Sequence, residues 1–267
     1  MNKILSNVAG MEKLRVKSQN FKSLTEMFGL NDDISLIAGP CSIENYNQME
    51  LVAKNLVENN VHFIRGGAFK PRTSPYAFQG LGIEGLKILD YIRKKYGLFA
   101  VSEIMDPRDV ELGVRYTDII QIGARNMCNY SLLKEVGKTN HPILLKRGMM
   151  STVEEFLLAA EYILCNGNTN LILCERGIRT FDLNTRNTLD ISCIAVIKNQ
   201  TELPIVVDLS HSLGRKDIMI PVAKAIMAMQ VDGIMLEIHN QPNRALSDAN
   251  QQLSLTEFTG FCESILE

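Results

Sequence analysis

The chain has 267 residues, 46% of them hydrophobic and 22% charged, with a formal net charge of −2. That size suits one domain with an ordinary core, and the charge excludes a global basic field for nucleic acid. No apolar stretch reaches a membrane span, and Met1–Gly10 is too short and polar for a secretory signal, so the cytosol is the expected compartment.

Residues 1–33 show no regular repeat. Within them, Phe21–Leu30 reads as a short helix, and Lys13–Lys17 as a strand or part of a cap. From Ile34 onward, eight β-branched-rich runs recur: Ser35–Pro40, His62–Ala68, Leu98–Ile104, Asp118–Ala124, Pro142–Arg147, Asn170–Arg176, Pro204–Ser210 and Gly233–His239. Between and after them the spacing predicts helices over Asn47–Asn60, Gly82–Tyr96, Pro107–Val114, Asn129–Val136, Val153–Asn166, Thr188–Asn199, Ile218–Met229 and Thr256–Leu266. Ser151 with Glu154 reads as a capping box for the fifth of these, and Gly167 as its stop.

Steady strand–helix alternation predicts a parallel sheet. At or just past the ends of the runs stand Cys41, Lys70, Glu103, Arg125, Lys146, Arg176, His211 and Glu237. Reactive residues after every strand point to a (β/α)8 TIM barrel, whose active site lies at the C-terminal ends of its strands. The reading is a single-domain barrel over 34–267 with a short N-terminal extension, 1–33. A doubly wound open sheet competes less well, because it would gather such residues at one switch point.

Arg65, Lys70, Arg72, Arg125, Lys146, Arg147, Arg176, Arg179 and Arg186 all fall at or after expected strand ends. Converging cations repel unless anions sit among them. Arg and Lys suit carboxylate and phosphate, so phosphorylated or carboxylated substrates are expected; the competing explanation for each cation is a solvated loop side chain.

Cys41, His211, Glu237 and Asp248 come from the ends of the first, seventh and eighth runs and the loop beyond. These strands adjoin when a barrel closes. One sulfur, one nitrogen and two oxygens make a donor set that Mn, Fe, Co or Zn accepts. His239 competes as a ligand, while His62 and His141 precede strands and read as structural or exposed. The remaining cysteines, Cys128, Cys165, Cys174, Cys193 and Cys262, form no CxxC pair and read mostly as small buried hydrophobes in a reducing compartment.

Six segments resemble one family: Ala38-Gly-Pro-Cys-Ser-Ile-Glu44, Arg65-Gly-Gly-Ala-Phe-Lys-Pro-Arg-Thr-Ser-Pro-Tyr76, Ile122-Gly-Ala-Arg-Asn126, Leu145-Lys-Arg-Gly148, Cys174-Glu-Arg-Gly-Ile-Arg-Thr180 and Asp208-Leu-Ser-His211. They are similar to the type I 3-deoxy-D-arabino-heptulosonate-7-phosphate (DAHP) synthases, in the β-type subgroup shared with 3-deoxy-octulosonate-8-phosphate (KDO8P) synthases. The resemblance runs from about Ile34 to Phe258. It implies condensation of phosphoenolpyruvate with erythrose 4-phosphate, the opening step of the shikimate pathway to aromatic amino acids.

The resemblance implies a divalent metal on Cys41, His211, Glu237 and Asp248, Mn2+ first, with Fe2+, Co2+, Zn2+ or Cd2+ as alternatives. It places phosphoenolpyruvate on Arg65, Lys70, Arg125, Lys146 and Arg176, lined by Glu103, Gly123 and Ala124. It places the aldose phosphate on Lys70, Pro71, Arg72, Thr73 and Ser74. The Lys-Pro-Arg-Thr-Ser run favours erythrose 4-phosphate over the arabinose 5-phosphate of the octulosonate branch. Lys70, Lys146, Glu103 and His211 are the catalytic candidates. Glu103 is the expected base for the water proton, directly or through Lys146, or else a salt-bridge partner that orients a cation.

Three departures lie beside the metal candidates: Leu209 for a proline, Leu213 for the first glycine of a turn that usually reads Ser-Gly-Gly-Arg and here reads Ser212-Leu-Gly-Arg215, and Asn240 for a proline. The first 33 residues lack the ferredoxin-like and chorismate mutase fusions of the subgroup, so feedback by those routes is expected to be absent. The resemblance also implies a homo-oligomer such as a tetramer, with a separate chorismate mutase as a candidate protein partner. Another 3-deoxy-sugar-phosphate synthase is the rival activity. A non-catalytic barrel that binds phosphorylated metabolites is the rival of another class.

Overall fold

The computed structural model describes residues 15–17, 20–31, 33–72 and 74–266. Eight strands close in sequence order: β1 (Ser35–Gly39), β2 (Phe63–Arg65), β3 (Phe99–Glu103), β4 (Ile119–Ile122), β5 (Ile143–Lys146), β6 (Leu171–Glu175), β7 (Ile205–Asp208) and β8 (Gly233–Glu237). All pairs are parallel, and β8 closes on β1 with Ser35 opposite Gly233 and Gly39 opposite Glu237. The helices are α1 (Leu24–Phe28), α2 (Tyr46–Glu58), α3 (Ile83–Tyr96), α4 (Val110–Tyr116), α5 (Tyr130–Gly137), α6 (Val153–Cys165), α7 (Ile191–Gln200), α8 (Leu209–Leu213), α9 (Met219–Met227) and α10 (Leu255–Leu266). The fold is the expected (β/α)8 barrel.

Both faces of each strand are buried, as in other parallel sheets. Alternate residues go to different cores. Leu36, Ile64, Ala100, Ile120, Leu145, Leu173, Val207 and Leu236 join the layer beneath the helices. Ile37, Phe63, Val101, Ile119, Leu144, Ile172, Val206 and Met235 fill the barrel interior.

The bottom of that interior is stopped by α1. Its start is a capping box, Ser23 with Glu26, and its end is Gly29 at φ 67°, a left-handed stop that glycine adopts without strain. Leu24 is fully buried among the interior residues. The Phe28 ring meets Phe63 at 5.1 Å and Phe99 at 4.7 Å, the first residues of β2 and β3. The described part of the expected Lys13–Lys17 cap does not cover the bottom. Arg15–Lys17 is a 3-10 turn against α6, where the Arg15 and Val16 amides each donate to the Glu161 carboxylate at 3.1 Å.

Some boundaries shift. The capping box of α6 is Thr152 with Glu155, one residue beyond the expected pair. Cys128 and Cys165 are exposed, whereas Cys41, Cys174, Cys193 and Cys262 are buried. The seventh run ends as a strand at Asp208, and Leu209 already begins α8. The Asp208 side chain accepts from the His211 backbone amide, a helix N-cap that turns the chain at this point. Leu209 occupies the first position of α8, where proline is also well accommodated. Leu209 and Leu213 are buried in the layer under the helices, so these two departures are packing residues.

Candidate active site

The inward alternation of the strands changes character near their C-terminal ends. Above the apolar layers, the next inward residues are Arg65, Glu103, Gln121, Lys146, Asp208 and Glu237, all buried. Cys41, Lys70, Arg176 and His211 follow just beyond their strands. The close approach of β1 and β2 needs Gly39, because a Cβ there would overlap the Arg65 carbonyl.

The structure brings Cys41, His211, Glu237 and Asp248 together. Ligand atoms of Cys41, Glu237 and Asp248 lie within 4.8 Å of one another. His211 Nε2 is 3.5 Å from Glu237 Oε1 and 3.7 Å from Asp248 Oδ2. Cys41 Sγ is 3.4 Å from the same Asp248 oxygen. A soft sulfur, an imidazole and two hard oxygens crowded in this way fit a divalent cation. Burial, with Glu237 beside it, pushes the Cys41 thiol up to about 12.

Each donor is held from behind. Asp208 Oδ2 is 2.8 Å from His211 Nδ1, which leaves Nε2 for the cluster, an arrangement common behind metal-bound histidines. Burial works against the Asp208 charge, yet His211 and Lys146 hold its carboxyl well below the usual range. Glu237 accepts from Arg65 Nη1 at 2.6 Å and from Gln251 Nε2 at 2.5 Å. The Cys41 amide donates to Gln252 Oε1 at 3.1 Å. Asp248 sits at φ 48°, ψ 38°, a left-handed conformation uncommon outside glycine but tolerated by Asp. His239 is not part of this cluster. β8 ends before it, and its Nε2 lies 3.4 Å from Glu44. His141 is half-buried near the start of β5, 3.4 Å from Thr117 Oγ1.

Beside the donors opens a cavity of about 430 Å³, within the usual range for a small-ligand site. Arg65, Lys70, Pro71, Arg72, Ser74, Glu103, Gly123, Ala124, Arg125, Lys146, Arg176, His211 and Asp248 all line it, as do Arg179 and Arg186. Thr73 lies outside the described residues. Among the described residues, no carboxylate is within ion-pair distance of Lys70, Arg72, Arg125, Arg176 or Arg179. Burial pulls the Arg176 guanidinium below its usual range, so an anion beside it would relieve a real cost. Arg147 is not in the cavity. It faces the opposite side of the sheet from Lys146 and binds Glu175 at 3.0 Å and Asp190 at 2.8 Å.

Glu103 is buried, and its Oε1 has no hydrogen-bond partner. Burial raises its pKa, while Lys70 and Lys146 act in the other direction. Gly123 leaves the space it fills: a Cβ there would overlap the carboxylate. Lys146 Nζ is bonded to Asp208, and among the described residues no hydrogen bond joins it to Glu103.

Several residues of this site escaped the sequence reading. Gln121, Met149 and Asn187 line the cavity, and Asp208, Gln251 and Gln252 brace the donors. Only Asp208 left a readable trace, three residues before His211, the spacing of an N-cap to the third helical position.

A closed barrel whose mouth combines a metal-type donor set with unpaired cations is an enzyme of the class that joins or cleaves anionic substrates. The chain belongs to the DAHP synthetase I family, whose family model matches residues 13–267. It is 52% identical over 228 residues to a phospho-2-dehydro-3-deoxyheptonate aldolase of Thermotoga maritima, covering 85% of this chain and 68% of that protein. A 2-dehydro-3-deoxyphosphooctonate aldolase of Syntrophotalea carbinolica is 32% identical, over 86% of this chain and 88% of that one. A crystal structure of the Thermotoga maritima DAHP synthase superposes with a TM-score of 0.85 at 50% identity, covering 87% of this chain and 68% of that one. A truncated form of the Thermotoga maritima synthase gives 0.81 at 48%, over 87% of this chain and 85% of that one.

Proposed function

We propose that this chain is a DAHP synthase, which condenses phosphoenolpyruvate with erythrose 4-phosphate and releases inorganic phosphate. The observation that carries the reading is the donor cluster of Cys41, His211, Glu237 and Asp248 beside a cavity whose wall includes Lys70, Arg72, Arg125, Arg176 and Arg179, none with a carboxylate partner among the described residues. Erythrose 4-phosphate is favoured over a longer aldose by the Lys70–Ser74 run and by the greater identity to the heptonate than to the octonate relative.

In this reading Arg125, Lys146 and Arg176, with Arg65 and Lys70 beside them, hold the carboxylate and phosphate of phosphoenolpyruvate. Lys70, Arg72 and Ser74, with Thr73 and Pro71 in the same run, hold the aldose phosphate. The cations offset the repulsion between two anions and fix them in attack geometry. A divalent metal, Mn2+ in our reading, held by Cys41, His211, Glu237 and Asp248 supplies Lewis acidity for an aldehyde oxygen. Lys70, whose Nζ already bonds the Cys41 carbonyl at 2.9 Å, stands where the negative charge of the new alkoxide would develop. C3 of phosphoenolpyruvate bonds the aldehyde carbon, whose oxygen takes the electron pair and then a proton. Water adds at the electron-poor C2, Glu103 takes its proton, and the hemiketal phosphate breaks its C2–O bond to phosphate, leaving the C2 ketone. A homo-oligomer, a cytosolic setting and a chorismate mutase partner belong to the same reading through the family resemblance.

The deciding assay follows phosphate release with erythrose 4-phosphate and with arabinose 5-phosphate, after chelation and again after Mn2+ is restored. Turnover with the first sugar only, lost on chelation and recovered with Mn2+, is expected. Preference for the second sugar gives the octulosonate activity instead, and indifference to chelation removes the metal reading.

Glu103→Gln separates the base from a mere spacer. Loss of a general base lowers kcat by about 10²–10⁴-fold. Stability should move the other way. A carboxyl whose pKa is raised by folding binds more protons folded than unfolded, so its contribution to stability falls as pH rises from the ordinary glutamate range towards the raised value. The Tm of Glu103→Gln minus that of the wild type is therefore expected to increase from pH 4 to pH 7. A flat difference would place no stability cost on the Glu103 charge.

A further inference from the structure

Arg186 touches both halves of the site. Its Nη1 is 3.2 Å from Asp248 Oδ2 and 2.6 Å from Gln251 Oε1. That Asp248 oxygen is the one facing Cys41 Sγ and His211 Nε2. Gln251 in turn donates to Glu237. The guanidinium therefore neutralises one metal-site carboxylate directly and reaches a second through one amide, while its side chain also lines the substrate cavity.

The backbone under Arg186 is held by hydrogen bonds, and its side chain is partly open to solvent. The Arg186 and Asn187 amides donate to Leu213 and Ser212 of the α8 segment at 2.9 and 2.8 Å, and Asn187 Nδ2 donates to the His211 carbonyl at 2.8 Å. The side chain is 36% exposed. It passes over Gly214, where a Cβ would overlap its own stem. Arg186, Asp248 and Gln251 also border a second hollow beside the first, so the guanidinium has room on either side.

We propose that Arg186 is a positioning residue that serves as an exchangeable counter-ion between the metal-site carboxylate of Asp248 and a phosphate in the cavity. A divalent cation on the donor set repels the guanidinium from Asp248 and releases it toward the cavity. An anion in the cavity draws it away and frees the Asp248 oxygen for metal. Metal and phosphate therefore bind with positive, reciprocal coupling. This rests on the metal site of the proposed function and adds a link between that site and the anion-binding cavity.

The test measures the Kd of Mn2+ for the metal-free enzyme from the free-ion magnetic resonance signal, with and without inorganic phosphate. In the wild type, phosphate is expected to tighten Mn2+ about fivefold or more. In Arg186→Gln, Mn2+ binds more tightly without phosphate than in the wild type, and phosphate no longer changes it. Arg179→Gln, a cavity cation with no contact to Asp248, keeps the coupling. Wild-type Mn2+ affinity indifferent to phosphate, or coupling that survives in Arg186→Gln, overturns the proposal. Cys41→Ala distinguishes the two readings. If it leaves Mn2+ binding unchanged, the metal site itself is wrong; if it abolishes binding while phosphate has no effect, only the exchange at Arg186 fails.

Discussion

His211→Ala is expected to lower kcat by about 10³-fold or more. Lewis-acid stabilisation is worth several kcal/mol, and each 1.36 kcal/mol is tenfold in rate. The imidazole is the only nitrogen of the donor set, and its ring is aimed by Asp208 at 2.8 Å. Asp208→Asn keeps the shape of that support and removes its charge, so it should weaken Mn2+ binding by about 10–100-fold. Calorimetric Mn2+ titration and steady-state kinetics on both variants provide the check. Wild-type turnover in His211→Ala would remove His211 from the chemistry.

Lys146→Met carries the largest expected loss of stability. Lys146 and Asp208 form an ion pair with side chains 5% and 0% exposed. Removing one partner of such a pair strands the other charge and costs about 3–5 kcal/mol, or a Tm lower by roughly 6–20 °C for a chain of this size. His211 remains beside Asp208, so the lower half of that range is expected. The sign with pH follows from the depressed Asp208 pKa. Its stabilisation is fully present above the ordinary aspartate pKa of about 4 and is lost as pH falls through the folded value below it. The gap between wild type and Lys146→Met should therefore narrow as pH drops below about 4. Adding Asp208→Asn to Lys146→Met should recover part of the Tm at pH 7 without recovering turnover. An unchanged Tm in the single variant would contradict the buried pair.

Much of this architecture is visible in the sequence because parallel strands buried on both faces leave β-branched runs of readable length. The site is less evenly visible. Cys41, Glu103, Arg176 and Glu237 close or follow apolar runs, so burial makes them conspicuous. Arg147 was open to correct reading: strand alternation sends it to the face opposite Lys146, toward Glu175 and Asp190. His239 shares the parity of Glu237, but parity ends with the strand. Leu209-Ser-His-Ser-Leu213 reads equally well as more strand, and the Asp208 cap decides for a helix. Ser151 with Glu154 and Thr152 with Glu155 satisfy the same spacing rule, so that helix start was ambiguous by one residue. Arg186 is expected from the sequence at the mouth as one more cation, but its contacts with Asp248 and Gln251 are not, and Gln251 and Gln252 lie in segments without periodicity that only the closed tertiary structure places.

The closure of β1 on β8 has a consequence for synthesis. β1 is among the first strands to be made, yet one of its edges is satisfied only by residues 233–237. The plug of α1 likewise closes an interior that needs Met235 of the last strand. A nascent barrel on the ribosome therefore carries an unpaired β edge and an unsealed floor until β8 has emerged. Both are the kind of exposed surface that invites self-association, so the ring's oldest segment is protected by its youngest.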